Sequence, residues 1–116
     1  MNTLTVELGS RSYPILIGAG LLSRGDLLQE HVPGRDILHI SNTHVGPLYA
    51  AALKKGLGDR RIVEVTLPDG ESHKTLATVS RLLDVLVTNC FARDCTVLAL
   101  GGGVVGDMVG FAAVCY

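Results

Sequence analysis

Residues 98–106 read LALGGGVVG, and no other stretch restricts the fold as tightly. The run 95–100 (CTVLAL) is almost wholly apolar, as a central parallel strand covered on both faces should be. Gly101, Gly103 and Gly106 follow at GxGxxG spacing, and Asp107 then leads into an apolar segment of helical character. A strand, a glycine turn and a helix in that order make a βα unit of the Rossmann type. Missing Cβ atoms let the backbone turn sharply and approach an anion, while the N–H groups and dipole of the helix's first turn supply positive charge. The same glycines recur at 102, 106 and 110, leaving a smooth helical stripe against which another backbone could pack.

The remaining segments agree with an α/β fold. Residues 3–8 (TLTVEL) and 13–18 (YPILIG) are short β-rich runs across GSRS and predict an N-terminal hairpin. Residues 21–32 suggest a helix loosened at Gly25, 36–41 (DILHIS) a compact apolar strand, and 47–58 a helix closing at glycine. The alternating, β-branched run 60–68 predicts a strand ended by Pro68, and 69–74 (DGESHK) a polar turn. In 75–90, Leu76, Val79, Leu83, Leu86 and Val87 share one helical face. After the hairpin the order β-α-β-α-β-α predicts a single Rossmann-like parallel sheet flanked by helices and joined by right-handed crossovers.

Composition removes several classes of function. A net charge of −1 gives no electrostatic footprint for nucleic acid or an anionic membrane surface. No apolar run reaches the roughly 18 to 20 residues that span a bilayer. The N-terminus has no basic region followed by an apolar core, so a cytoplasmic protein without a signal peptide is expected. Cys90, Cys95 and Cys115 form no CxxC and are expected to be reduced, mostly buried thiols. His31, His39, His44 and His73 form no HxH or HxxxH pair, which argues against a zinc site built from these residues alone.

Three polar strand ends are candidate ligand contacts. Gly101 and Gly106 nearly satisfy a P-loop, but Asp107 stands where the phosphate-binding lysine belongs. A carboxylate there repels a triphosphate and suits the hydroxyls of a dinucleotide. Read alone, these glycines could equally serve close helix–strand packing. In LPDGESHKT, Asp69, Glu71 and Lys74 crowd the end of the strand 60–68, with Glu71 suited to ribose hydroxyls and Lys74 to a phosphate or carboxylate. The competing reading of that turn is a solvated cap on the next helix. Asn42 and Thr43 mark a third strand end.

Together, LALGGGVVGDMVGFAA (98–113), LPDGESHKT (67–75), RSYPILIG (11–18) and SNTHVGPLYA (41–50) resemble the 3-dehydroquinate synthase family of sugar-phosphate cyclases. The resemblance runs the whole length of the chain. It implies an NAD site lined by Asp69, Gly70, Glu71, Ser72, His73 and Lys74, and by Gly102, Gly103, Val104, Val105, Gly106 and Asp107. Asn42 is a looser member of that set, and no side-chain role attaches to His73. The implied reaction converts 3-deoxy-arabino-heptulosonate 7-phosphate to 3-dehydroquinate and phosphate, by oxidation with NAD, phosphate elimination, return of the hydride and aldol closure. By resemblance, a divalent metal (zinc or cobalt) and most substrate contacts belong to a C-terminal helical domain outside residues 1–116. Those residues are therefore expected to be an incomplete N-terminal NAD-binding domain, inactive by itself and without catalytic or metal-ligating residues of its own. The full-length protein is expected to be a homodimer acting on a sugar phosphate. Sister cyclases forming 2-deoxy-scyllo-inosose or valiolones resemble the same motifs, and a non-catalytic nucleotide-binding module is the reading from a different class.

Overall fold

The computed structural model describes residues 1–116. Two strands, β1 (Asn2–Val6) and β2 (Tyr13–Ile17), form the antiparallel hairpin, with Leu4 opposite Ile15 and a 3₁₀ turn at Gly9–Arg11 between them. The predicted helix at 21–32 divides. A 3₁₀ turn covers Leu21–Ser23 and α1 runs Gly25–His31, so the chain breaks where Gly25 weakened the helical pattern. Then follow β3 (Asp36–Asn42), α2 (Gly46–Leu57), β4 (Arg61–Leu67), α3 (Leu76–Thr88), β5 (Thr96–Ala99) and α4 (Gly103–Cys115).

The three later strands form one parallel sheet in the order β4-β3-β5. The strand at its centre is therefore β3, whose residues Ile37 to Asn42 are all buried. Within residues 1–116 the middle position falls to β3, with β5 beside it. β5 has four residues, is only partly buried, and pairs on one side alone.

Alternation along β3 sends side chains into two cores, since successive residues face opposite sides of a sheet. Leu38 and Ile40 join Val65, Leu67, Val79, Leu82, Leu86, Val105, Met108, Val109 and Ala112 beneath α3 and α4. Ile37 faces the other way, with Leu53 and Leu57 of α2 and Leu100. Helices thus cover both faces, and burying a side chain such as Leu82 or Leu86 is worth about 1.5 to 3 kcal/mol.

The inward stripe of α3 differs from the expected one. Val79, Leu82 and Leu86 are buried and Leu83 is partly so, whereas Leu76 is 75% and Val87 65% exposed. Seven aliphatic residues in this helix offered two overlapping stripes, and contact with β3, β4 and α4 selected one. The cysteines also depart from expectation. All three are free, but Cys90 and Cys115 are exposed and only Cys95 is half-buried. Cys90 stands at φ +57 in the turn after α3, a backbone position that lies on the surface.

Candidate functional site

Connectivity places the site. The chain leaves β3 into α2 on one face of the sheet and leaves β5 into α4 on the other. Between these neighbouring strands the helices diverge and open a crevice at the carboxyl ends, where open α/β sheets bind ligands. Asn42 closes β3 on one side of that crevice, and the glycine turn 101–103 follows β5 on the other. β4 ends beside β3 and delivers the polar turn 69–74 to the same edge. All three predicted strand ends meet there.

Direct contacts join them. Lys74 Nζ donates to Asp107 Oδ2 at 2.9 Å, tying the turn after β4 to the first turns of α4. Glu71 Oε1 lies 3.7 Å from the same ammonium. The hydrogen bond and charge of Asp107, and then the charge of Glu71, raise the Lys74 pKa above the ordinary lysine value. Asn42 Nδ2 donates a long hydrogen bond, 3.4 Å, to Asp69 Oδ1. Its Oδ1 accepts from the backbone N–H of His44 at 3.0 Å and of Val45 at 2.7 Å.

The glycines separate into two kinds. A Cβ on Gly101 would lie 3.0 and 3.2 Å from Val105 side-chain atoms, so a side chain at Gly101 crowds Val105 inside the chain. Gly102, Gly103, Gly106 and Gly110 would meet nothing within 4 Å, and none has a positive φ. Neither backbone conformation nor internal packing demands glycine at these positions. Their missing side chains leave open space over the N-terminus of α4, where unbonded N–H groups point outward. A pyrophosphate fits that arrangement, so the residues present suit a dinucleotide. No second backbone of this chain packs on the 102/106/110 stripe.

The turn 69–74 is exposed throughout, with Glu71, Ser72 and His73 in a 3₁₀ turn after Gly70 at φ +118. The cap on α3 comes from Thr75, whose Oγ1 accepts from Thr78 N at 3.2 Å, rather than from Asp69 or Glu71. Neither carboxylate is tied up in capping α3. His73 enters the fold through its carbonyl, which accepts from Thr78 Oγ1 at 2.8 Å. Val105 is 2% exposed and Val104 half-buried, so of the six residues from Gly102 to Asp107 the valine at 105 can offer a ligand only its backbone.

One feature had no signal in the sequence. Leu76, Val79, Met108 and Phe111 line a groove of about 340 Å³ beside Lys74, Thr75 and Asp107. It exists because α3 and α4 pack side by side, a relationship between residues about 30 positions apart. No group of three or more His, Cys, Asp or Glu side chains is assembled in the fold, so these residues do not fit a catalytic zinc or cobalt ion.

Comparison with known proteins gives a consistent picture. The family model described as 3-dehydroquinate synthase N-terminal matches residues 64–116. The chain is 53% identical, over all 116 residues, to 3-dehydroquinate synthases of Nitrosococcus oceani and Pseudomonas putida. It spans 32% of the length of each of these relatives. Among solved structures it is similar to 2-deoxy-scyllo-inosose synthase complexed with carbaglucose-6-phosphate, NAD+ and Co2+, with a TM-score of 0.83 at 22% identity. That match covers 99% of this chain and 32% of the other, and at such identity it shows the fold alone. It is also similar to a 2-epi-5-epi-valiolone synthase from Streptomyces hygroscopicus subsp. jinggangensis with NAD+ and Zn2+ bound, at TM-score 0.76 and 29% identity, covering 96% of this chain and 31% of that one.

Proposed function

We propose that the chain is a counterpart of the N-terminal part of the 3-dehydroquinate synthase family, and that residues 1–116 form the NAD-binding portion of such a synthase. The observation that carries this reading is the meeting of three strand ends at the β3/β5 crevice, joined by Lys74 and Asp107 at 2.9 Å beneath glycines that the fold itself does not require. NAD, when bound, supplies a reversible hydride acceptor. Gly102, Gly103, Val104 and Val105 offer backbone N–H groups to its pyrophosphate, and Gly106, whose N–H donates to the Gly102 carbonyl, offers space. Asp69, Gly70, Glu71, Ser72, His73 and Lys74 form the wall that takes ribose hydroxyls and charge, with Glu71 as acceptor. Asp107 holds Lys74 charged and oriented over the mouth of the site.

The whole enzyme in this reading is a lyase of the shikimate route to chorismate and the aromatic amino acids. It converts 3-deoxy-arabino-heptulosonate 7-phosphate to 3-dehydroquinate and phosphate, as a cytoplasmic homodimer. Its metal ligands and substrate contacts lie outside residues 1–116, in a second domain. No helix here is long and apolar enough to cross a membrane. Identities near 50% to proteins named 3-dehydroquinate synthase, against 22% and 29% to the other cyclases, favour this substrate over theirs.

Titration of the chain with NAD, followed by backbone amide NMR, tests the reading. Shifts confined to residues 42–45, 69–74 and 101–107 are expected, with weaker response to ATP because Asp107 replaces the P-loop lysine. Absence of any response to NAD at millimolar concentration would overturn it.

A further inference from the structure

We propose that Asn42 is a positioning residue of this site, aligning the strand ends around it. Its side chain is 7% exposed at the carboxyl end of the central strand. Both polar atoms of the carboxamide are already engaged, in different directions. Oδ1 takes the N–H groups of His44 and Val45 and so fixes the turn that starts α2. Nδ2 donates to Asp69, which opens the turn after β4. A Cβ on Gly101 would stand 3.6 Å from that same Nδ2, so the glycine turn after β5 passes close to the amide and leaves it room. One side chain thus bonds to the turns after β3 and β4 and lies beside the turn after β5.

The chemistry of the position explains the residue. Two backbone donors require an acceptor, and a carboxylate 3.4 Å away requires a donor. A short amide carries both, on separate atoms, at this reach. Aspartate would keep the first function and reverse the second, placing two carboxylates together, which disfavours the charged form of each. Alanine would lose both.

The test compares the unmodified chain with Asn42→Asp, Asn42→Ala and the exchange variant Asn42→Asp with Asp69→Asn. Backbone amide spectra recorded without cofactor are the first readout. Asn42→Asp is expected to leave the His44 and Val45 amides near their original positions while moving those of 69–74 and 101–103. The exchange variant rebuilds one donor and one acceptor with inverted polarity and should return these amides toward the original spectrum, a rescue that loss of packing alone would not give. Asn42→Ala should move all three segments. Unmoved 69–74 amides in Asn42→Asp, or no return in the exchange variant, would overturn the proposal. The second readout rests on the cofactor reading: Asn42→Asp should weaken NAD binding about tenfold, the scale of one disturbed charged hydrogen bond. If the amides behave as expected while the unmodified chain binds no NAD, the positioning role is supported and the cofactor reading alone falls.

Discussion

Lys74 and Asp107, 33 positions apart in the chain, meet at 2.9 Å across the mouth of the crevice. The pair links the turn after β4 to α4 and sets the charge pattern of the site. Both side chains are substantially exposed, at 40% and 63%, so the pair orients the site and adds little to stability. Removing the carboxylate with Asp107→Asn should lower the Lys74 pKa toward its ordinary value, read by NMR of the lysine side chain. The sign follows from the raised folded value: any stability from the pair is present below the unfolded lysine value of about 10.4 and is lost as pH rises through the folded one. An unchanged Lys74 titration in Asp107→Asn would contradict the pairing.

Glycine substitutions should separate stability from binding. Gly101→Ala forces Val105 to move and should cost about 1 to 3 kcal/mol in thermal or denaturant melts. Gly103→Ala meets open space at a helical position and should leave stability unchanged or raise it by up to about 1 kcal/mol. Gly103→Val projects a branched side chain into the space assigned to pyrophosphate. It should weaken NAD binding by more than about tenfold, or 1.4 kcal/mol, measured by calorimetry. Equal NAD affinity in Gly103→Val would remove the glycine turn from the site.

Glu71 and Thr75 divide the roles that one polar turn could have held. Thr75→Ala removes the side-chain cap on α3 and should lower stability by about 1 kcal/mol. Glu71→Ala should leave melting unchanged, since its exposed carboxylate caps nothing, and should raise the NAD dissociation constant about tenfold or more. A Glu71→Ala protein that melts early and binds NAD normally would reverse the assignment.

His39 predicts an acid-sensitive core. Its ring is 1% exposed in the central strand, and neither ring nitrogen has a hydrogen-bond partner. Glu64 approaches Nδ1 only to 3.5 Å and is shared with Lys54 at 3.2 Å. Burial depresses the imidazole pKa, Glu64 opposes the shift, and Lys54 adds to it. An unfolded histidine protonates near pH 6.5, whereas the folded one does so only at lower pH. Stability is therefore full above about pH 6.5 and declines as pH falls from there toward the folded value. His39→Leu should flatten this part of the stability–pH curve relative to the unmodified chain. Parallel curves for the two proteins would show that His39 is not the group responsible.

Much of this protein was determined by the sequence alone, because the decisive signals were local. The hairpin at β1 and β2, the strand-to-helix glycine turn, and the polar strand ends at Asn42, Asp69–Lys74 and Gly102–Asp107 each follow from residues a few positions apart. Tertiary structure decided what depends on distant neighbours. Strand order within residues 1–116 set β3 between β4 and β5, which no local pattern announces. Packing against the sheet chose Val79, Leu82 and Leu86 over Leu76 and Val87 as the buried stripe of α3. It also left Cys90 and Cys115 at the surface. The two kinds of glycine divided only when the space around each was known, since Gly101 meets Val105 and Gly103 meets nothing. Most of all, the fold gave Asn42 its partners. Periodicity records which face a side chain takes, but a hydrogen bond from the end of one strand to the turn after another requires the sheet to have formed.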